Sequence, residues 1–297
     1  MLADLDLLLI AVFCAADDLL PAKPDNAKRI LSDAEVVTLC VAPSMMGIPS
    51  DPRFLRVARK QLKHLFPRIP GRSGFSKRRD RLAETIEALI EVFASDSPGF
   101  QDDLLLVDST PVECGRSIET SRRSQLADAA DQGGCASHSR YFWGFRLHCL
   151  FALDGTPRAL QLTSPKTSER EVCLTMLQRL QHDRPLTLVC DKGYAGRAFE
   201  HAATDLHATI CRPRRKNEAG RGPHLAPIRQ RIESIFQTCK DLLTLERHGA
   251  RSLHGLRTRI TSRFPALAAA ISLSTTDTAD HHAPSSTTPP KPVELLI

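Results

Sequence analysis

The sequence lacks a hydrophobic run long enough to cross a bilayer. Residues 7–16 form an uninterrupted apolar stretch of only ten residues, whereas a membrane-spanning helix needs about 20. Asp4 and Asp6 precede this stretch, at the place where a signal peptide carries positive charge. We therefore expect a buried first helix, no export and no membrane partner.

The nine cysteines include no CxxC pair and are odd in number. Structural zinc sites usually show closely spaced ligand pairs, so a zinc site is not expected. Cys149, Cys190 and Cys211 lie within apolar runs, where a reduced cysteine behaves as a small hydrophobic residue. This usage favours a reducing, cytoplasmic location.

Length and composition are those of a globular protein. The 297 residues suffice for one large domain or two ordinary ones, and 42% are hydrophobic and 25% charged. The formal net charge is +6 and the sequence pI is about 8.9. This balance suits a polyanionic partner without requiring one.

Residues 1–97 are predicted to be helical. Ser32 and Glu35 form a capping box at one helix start, and Pro52 occupies the first turn of another. A loop is expected over 67–81, and it gathers the basic residues Arg68, Arg72, Lys77, Arg78, Arg79 and Arg81. Short helices with a basic junction are typical of a helix-turn-helix-like DNA-binding module. A small bundle with a solvated basic loop explains the same pattern equally well.

The pattern changes to alternating strands and helices near Leu104. Strands are predicted at 104–107, 141–153, 158–162, 186–190 and 208–211, with helices at 168–181 and 197–204. Asp154-Gly155 predicts a hairpin between the second and third strands. The fold class is therefore α/β, a mixed sheet flanked by helices and preceded by a small all-α N-terminal domain.

A further helix follows the last strand, and a low-complexity tail ends the chain. Apolar residues from Ile228 to Leu243 form one stripe, with Glu233 at its edge. Pro265 interrupts what is otherwise a continuous terminal helix. The predicted units are 1–97, 98–273 and a disordered tail at 274–297.

Three acids follow from this arrangement as candidates for one site. Asp108 and Asp191 end predicted strands, where ligands gather in open α/β sheets, and Glu233 lies on a packed helix. Clustered carboxylates repel one another and need a counter-charge. Mg²⁺ or Mn²⁺ with oxygen ligands supplies it, and two such ions catalyse phosphodiester chemistry. An Asp at a strand end is also common as a helix cap.

Basic residues surround the same candidate site. Phosphate contacts and solvated or ion-paired side chains are alternative explanations for all of them. The candidates for DNA contact are Lys192, Arg212, Arg214, Arg215, Lys216, Arg229 and Lys240, together with Arg78 and Arg79 in the N-terminal part.

Aromatic residues interleave with bases at 140–148. Tyr141, Phe142, Trp143 and Phe145 suit either stacking on unpaired bases or the core of a strand, and strand alternation favours the core. No paired histidine spacing supports a histidine metal site.

The motifs LLLVDSTPV, LVCDKGY, CRPRRKN and RIESIFQTCKDLLTLERHGARSLHGLRTRI follow one another along the chain. In this order they resemble the DDE transposases of bacterial insertion sequences, most closely the insertion-sequence-982 family, from about residue 32 to about 263. The resemblance implies an RNase H-like catalytic core whose triad is Asp108, Asp191 and Glu233. It further implies two Mg²⁺ or Mn²⁺ ions bound by these acids, nicking at the ends of the element, and attack of the freed 3′-OH on target DNA.

The expected partners are terminal inverted repeats and target DNA, with a homodimer or larger assembly holding two ends together. Two alternatives stay open at this point. One is a nuclease of the same fold that cuts without joining. The other is a catalytically inactive DNA-binding relic or repressor of the element.

Overall fold

The structure is a computed structural model and describes residues 4–22, 31–115, 118–135, 140–180, 182, 184–215, 218 and 225–280. The helices in these ranges are α1 (Leu5–Leu19), α2 (Asp33–Met45), α3 (Asp51–Gln61), α4 (Arg72–Arg81), α5 (Ala83–Ser95), α6 (Ile118–Arg123), α7 (Glu169–Leu180), α8 (Arg197–Asp205), α9 (Ala226–Asp241), α10 (Leu253–Thr261) and α11 (Arg263–Asp280). The strands are β1 (Leu104–Gly115), β2 (Asp131–Cys135), β3 (Arg140–Ala152), β4 (Pro157–Thr163), β5 (Leu186–Val189) and β6 (Ala208–Cys211).

The N-terminal helices begin where local chemistry predicts. The capping box of α2 is complete, because Ser32 Oγ accepts from the Glu35 N–H at 3.0 Å and Glu35 Oε2 accepts from the Ser32 N–H at 2.6 Å. Pro52 lies in the first turn of α3, where its missing N–H costs no hydrogen bond. The predicted helical character of residues 1–97 is confirmed in the described part of that range.

The predicted loop over 67–81 is wrong from Arg72 onward, because residues 72–81 form α4. Gly74 disfavours a helix by about 1 kcal/mol. Phe75 offsets this cost by packing on Phe54 of α3 with ring centroids 6.3 Å apart, and both side chains are fully buried. Arg79 on the same helix is also buried and pairs with Asp51. Long-range packing of Phe75 and Arg79 therefore decides the structure of this segment.

The sheet is mixed. Its strands lie in the order β2-β3-β1-β5-β6, and β4 pairs with β3. β3 is antiparallel to β1, β2 and β4, whereas β5 is parallel to both β1 and β6. The predicted fold class, a mixed α/β sheet flanked by helices and preceded by N-terminal helices, is confirmed.

Alternate residues of the central strands supply the cores on the two faces of the sheet. Leu105 and Val107 face α7 and α8, where they pack with Met176 and Phe199. Leu106 faces the other way, into a cluster that contains α9 and the helices from both ends of the chain. The near-continuous apolar run of β1 is what a strand buried on both faces requires.

Several sheet elements differ from the prediction. β1 continues to Gly115, well past its predicted end, because β3 pairs with it along its whole length. The short elements β2 and α6 were not predicted. The predicted hairpin between β3 and β4 is confirmed, and Gly155 in its turn has φ +101°, a conformation that side chains with a Cβ rarely adopt.

The C-terminal helices pack on the N-terminal ones. One hydrophobic cluster extends from Leu8 in α1 to Ala269 in α11. Pro265 is the third residue of α11, where a helix tolerates proline. α11 continues to Asp280, so it includes the first residues of the predicted tail, and 281–297 lie outside the described residues. The divisions at 97 and 273 stay predictions. None of the helices in the described ranges has the length and apolar content to span a bilayer.

The buried Asp51 carboxylate joins two distant parts of the chain. Arg79 Nη1 lies 3.1 Å from each of its oxygens, and Arg259 of α10 also pairs with it. We expect Asp51→Ala to destabilise the protein by about 3–5 kcal/mol in urea unfolding, because it leaves buried guanidinium groups without a counter-charge. The control Asp6→Ala, at the exposed Asp6–His64 pair, should cost no more than about 1 kcal/mol. Equal effects of the two changes would contradict this assignment.

His148 on β3 is fully buried, and burial lowers its pKa to about 4. Between pH 6.5 and 4 the unfolded chain therefore binds more protons at this residue than the folded chain. We expect up to about 3 kcal/mol of stability to be lost as the pH falls through this window. Urea unfolding across pH 4–7 should show a smaller pH dependence in His148→Gln than in the wild type. Identical pH dependence in both proteins would refute this expectation.

Candidate active site

Asp108 and Asp191 lie side by side because two strands are parallel. β1 and β5 pair in the register Leu104–Thr187, Leu105–Leu188 and Leu106–Val189. Each aspartate follows the last of these paired residues by two positions, so the same register places them opposite one another. Both acids were predicted to lie at strand ends. Asp191 does follow the end of β5, but Asp108 lies within β1, and the register of the two parallel strands is what sets the acids side by side.

Glu233 is carried to this edge by α9. Phe236, one turn further along, packs edge-on against Phe151 of β3 with ring centroids 5.7 Å apart. Arg231 donates two hydrogen bonds to the β3–β4 turn, to the carbonyls of Leu153 at 2.9 Å and Asp154 at 2.8 Å. These contacts fix the rotation of α9 against the sheet, with Glu233 exposed beside the buried Ile232.

The three acids line one small cavity. Its other walls are Leu106 and Val107 within β1, the end of β5, and the side chains of Arg229 and Ile232 on α9. The volume is about 20 Å³, enough for one water-sized species. The cavity therefore has room for one ion in this side-chain arrangement, and a second ion requires the side chains to move.

The Asp108 carboxyl group is in an unfavourable environment for its own charge. Burial raises its pKa to about 6, the Ser109 N–H at 2.8 Å opposes the shift, and the negative charges of Glu169 and Asp191 raise it further. Arg229 is the positive charge that lowers it. A carboxylate surrounded in this way is stabilised by an added cation.

Asp191 has two roles that sequence reasoning treated as alternatives. Its Oδ1 caps the short 3₁₀ turn Lys192–Tyr194 by accepting from the Lys192 N–H at 2.7 Å. The same oxygen lies 3.2 Å from Nη2 of Arg229. Asp191 is thus both a cap and a wall of the cavity, and Arg229 supplies its counter-charge.

The side chains are not gathered tightly enough to form a ligand set. Within the described ranges, no three His, Cys, Asp or Glu side chains are placed to hold one metal ion. Asp191 is paired with Arg229 and Glu233 faces solvent. The backbone brings the three acids to one cavity, whereas their side-chain rotamers leave them apart.

A second polar group lies beside Asp108 on the α7 side of the sheet, and sequence reasoning missed it. Glu169 Oε1 accepts from Ser109 Oγ at 2.8 Å and from Arg146 Nη1 at 2.7 Å, and Arg146 also donates to Ser109 Oγ at 3.0 Å. We name Ser109, Arg146 and Glu169 the α7 network. Its only sequence signal is an acid in the first turn of a helix, which is too common to identify a site.

Tyr194 is the buried residue of the DKGY motif. Its side chain is 1% exposed, and its hydroxyl has no hydrogen-bond partner among the described residues. Burial raises its pKa well above the usual 10, and the charge of Glu169 adds to this shift. The residue therefore stays neutral and packs beneath the site, with Phe199 6.1 Å away between ring centroids.

The predicted DNA-contacting residues beyond β6 differ in accessibility. Arg212 pairs with Glu200 at 3.0 Å and with both oxygens of Glu218. Its guanidinium group is therefore engaged by acids of the same chain. Arg214 and Arg215 are exposed, and Arg215 Nε donates to the Lys192 carbonyl at 3.2 Å. Lys192 is exposed as well. Lys216 lies outside the described residues.

The other predicted contacts are less available. Lys240 lies 3.7 Å from Glu246. Arg78 donates to the carbonyls of Leu31 at 3.1 Å and Ser32 at 2.9 Å. Arg79 is 5% exposed and fixed by Asp51. We therefore exclude Arg79 from the residues proposed to contact DNA, because its guanidinium group is buried.

The aromatic segment of β3 belongs mainly to the core. Phe142, Trp143 and Phe145 are buried, while Tyr141 is 88% exposed. The core interpretation therefore holds for three of the four aromatic residues.

Comparison with known proteins places these elements in a family. Residues 99–269 match the family model described as the transposase DDE domain, which is more than half of the chain and includes Asp108, Asp191 and Glu233. A search of curated proteins gives no match.

Solved structures with some likeness to the chain are Mos1 complexes. The pre-cleavage Mos1 transpososome is 12% identical, with 89% of this chain and 82% of that chain covered and a TM-score of 0.25. The Mos1 strand transfer complex is 14% identical, with 83% and 80% covered and a TM-score of 0.26. The Mos1 mariner paired end complex with Mn is 13% identical, with 86% and 83% covered and a TM-score of 0.25.

With TM-scores this low, the three Mos1 structures do not establish a relationship to this chain. The match to the family model does establish its family. By that match over residues 99–269, the chain belongs to the transposases of the DDE-domain family.

Proposed function

We propose that this DNA transposase uses Asp108, Asp191 and Glu233 to bind divalent cations and cleave the ends of an insertion sequence, then joins the freed 3′-OH to target DNA. The observation that supports the proposal most is the shared cavity. Parallel strands deliver two of its acids in register, and a helix docked on the sheet delivers the third. All three residues lie within the range that matches the DDE domain.

The donor set fits Mg²⁺ or Mn²⁺. Both ions prefer carboxylate oxygens and retain water ligands, and the cavity is lined by carboxylates and open to solvent at Glu233. Burial raises the pKa of Asp108 most, and the charges of Glu169 and Asp191 raise it further, so a bound cation would favour the ionised form of this carboxyl group. Bound divalent cations favour the attack of an oxygen nucleophile on a phosphodiester and stabilise the leaving oxygen.

Two features of the site must change when cations bind. The cavity accommodates one water-sized species, so binding of the two proposed ions requires it to widen. Glu233 must turn from solvent toward Asp108, a rotamer change that an exposed side chain on a fixed helix makes readily. The proposal therefore includes a side-chain rearrangement at Glu233 with little movement of α9.

Arg229 acts as the counter-charge in the absence of cations. It pairs with Asp191 and lowers the pKa of Asp108. If bound cations neutralised these acids, the Arg229 guanidinium group would be available for a phosphate next to the scissile bond. Lys192, Arg214 and Arg215 are exposed near the same edge, and we assign them to the DNA backbone with Arg229. Lys216 and Lys240 complete the proposed set.

We further assign the chain to the insertion-sequence-982 family on the motifs that resemble it, with a catalytic unit at 98–273 after an N-terminal DNA-binding unit at 1–97. Transposition joins two element ends in one complex, and a homodimer or larger assembly provides one active site for each. A cytoplasmic location, with the protein on the nucleoid when bound to DNA, follows from this activity.

A second candidate is a DNA-binding protein of this family that does not cleave. It is favoured by the ion pair between Asp191 and Arg229 and by the lack of a three-acid ligand set among the described residues. The two candidates differ in whether the purified chain cuts terminal-repeat DNA when Mn²⁺ is present.

Neutral, nearly isosteric substitutions test the triad. We expect Asp108→Asn, Asp191→Asn and Glu233→Gln each to lower strand cleavage of terminal-repeat DNA in Mn²⁺ by more than about 100-fold, because changes in the shell around metal ligands alone cost 10–100-fold. DNA affinity in EDTA should stay within a few-fold of the wild type. A labelled 3′-OH substrate measures joining separately from cutting and so separates a transposase from a nuclease.

The matched control is Asp241→Asn, an exposed acid on the same helix as Glu233 that pairs with Gln237. Its cleavage rate should equal that of the wild type. Full activity in any of the three triad variants would remove that residue from the site, and wild-type binding without cleavage would favour the second candidate.

A substitution in the α7 network tests whether Glu169 influences the proposed cation site at Asp108. We expect Glu169→Gln to weaken Mn²⁺ binding by about 10-fold in calorimetry without DNA, because it removes a negative charge next to Asp108 while an amide oxygen still accepts from Ser109 and Arg146. The melting temperature should change little. Glu171→Gln, on an exposed residue in the same turn, should leave Mn²⁺ affinity unchanged. Equal affinities in the two variants would show that Glu169 does not influence the cation site.

A further inference from the structure

The positive charge of the protein is concentrated in one segment. Residues 52–79 contain ten Lys and Arg residues and no acid. The other 269 residues carry 30 basic and 34 acidic side chains, a net negative balance. The excess positive charge of the whole chain therefore comes from α3, α4 and the turn between them.

In the folded protein, part of this positive charge is buried or held in internal hydrogen bonds. Arg79 is buried against Asp51, and Arg78 is bound to the start of α2. Arg59 donates to the carbonyls of Leu55 and Pro70, which fastens the turn to α3. The exposed bases that remain are three on the outer side of α3, two in the following turn and two on α4, namely Arg53, Arg56, Lys60, Lys63, Arg68, Arg72 and Lys77.

Arg53, Arg56 and Lys60 form an exposed stripe along α3, and Lys63 continues it into the following turn. We name these four residues the α3 basic face. Their spacing of three, four and three residues places successive side chains on one side of a helix. In the part of the chain that the structure describes, none of the four makes a hydrogen bond or an ion pair.

The helix that carries this face is rigidly docked. Phe54, Leu55 and Ala58 on its inner side are buried, and the rings of Phe54 and Phe75 pack together. Asp51 in its first turn is fixed by Arg79 and Arg259. The outer side therefore presents cations in a fixed geometry, which lowers the entropic cost of binding a partner.

We propose that the α3 basic face binds the phosphate backbone of duplex DNA; this inference rests on the proposed function. Arg53 and Lys60 are seven residues apart, about 10 Å along the helix axis, which is comparable to the width of the DNA major groove, about 12 Å. Three or four cations over this length can reach phosphates that border the groove.

Membrane lipid is a less suitable partner than DNA. Helices that bind a bilayer surface insert apolar side chains beside their basic residues. Large exposed hydrophobic side chains in the described ranges are found on α1, β3, α9 and near the β3–β4 turn, but not on α3. The face is polar throughout, as a phosphate-binding surface requires.

The experiment compares two triple variants of the full-length chain that lose equal charge. One is Arg53→Gln/Arg56→Gln/Lys60→Gln on α3, and the other is Arg72→Gln/Lys77→Gln/Arg81→Gln on the exposed side of α4. Binding to a terminal-repeat duplex is measured in EDTA between 50 and 300 mM salt, with thermal melting as the folding control. Anionic lipid vesicles form a separate arm.

We expect the α3 variant to bind DNA at least 10-fold more weakly than the wild type at about 100 mM salt. The slope of log affinity against log salt concentration is negative, and its magnitude should be smaller by 2 to 3 in this variant, since each phosphate contact contributes about 0.9. The α4 variant should show a smaller loss of DNA affinity and a smaller change in the salt slope. Equal or greater losses in the α4 variant, or an α3 effect seen only with vesicles, would overturn the proposal. A wild-type chain that binds no duplex at all would instead overturn the proposed function.

Discussion

The parallel pairing of β1 with β5 is the interaction on which the candidate site depends. The register that joins Leu106 to Val189 also sets Asp108 beside Asp191, although 83 residues separate them in sequence. A one-residue slip would turn one of the two carboxylates to the opposite face of the sheet. That register is specified by the apolar side chains of both strands, which are buried on the two faces at once.

Negative charge is concentrated around Asp108. Asp108 is enclosed by β1, β5 and α9, and like charges approach it from Glu169 on one side and Asp191 on the other. Arg229 offers one guanidinium group for these charges and binds Asp191 directly. The site therefore has more negative charge than its own residues neutralise, and Glu233, at the solvent side, is the acid with freedom to move.

Local signals predicted much of the fold. The capping box of α2, the hairpin turn before β4 and the alternation of strands with helices each depend on neighbouring residues, and all of them are present in the structure. The acids Asp108 and Asp191 were identifiable because in each case an apolar run of the sequence ends at a carboxylate, although β1 itself continues past Asp108.

The features that sequence reasoning missed depend on partners far along the chain. α4 forms because Phe75 and Arg79 meet Phe54 and Asp51, and Arg79, a predicted DNA contact, is buried for the same reason. Glu169 is placed beside Asp108 by its hydrogen bond with Ser109, which lies 60 residues earlier in the sequence. The basic residues of the N-terminal part were predicted to gather over 67–81, and the packing of α3 shows that Arg53, Arg56 and Lys60 also face solvent.

Asp108, Asp191 and Glu233 are proposed to bind divalent cations together. The most direct measurement is anomalous diffraction at the manganese edge from crystals grown in Mn²⁺. We expect manganese peaks bound by oxygens of Asp108 and Asp191, with Glu233 turned toward them and Arg229 released from Asp191. A manganese peak elsewhere, or a filled site from which Glu233 still faces solvent, would contradict this proposal.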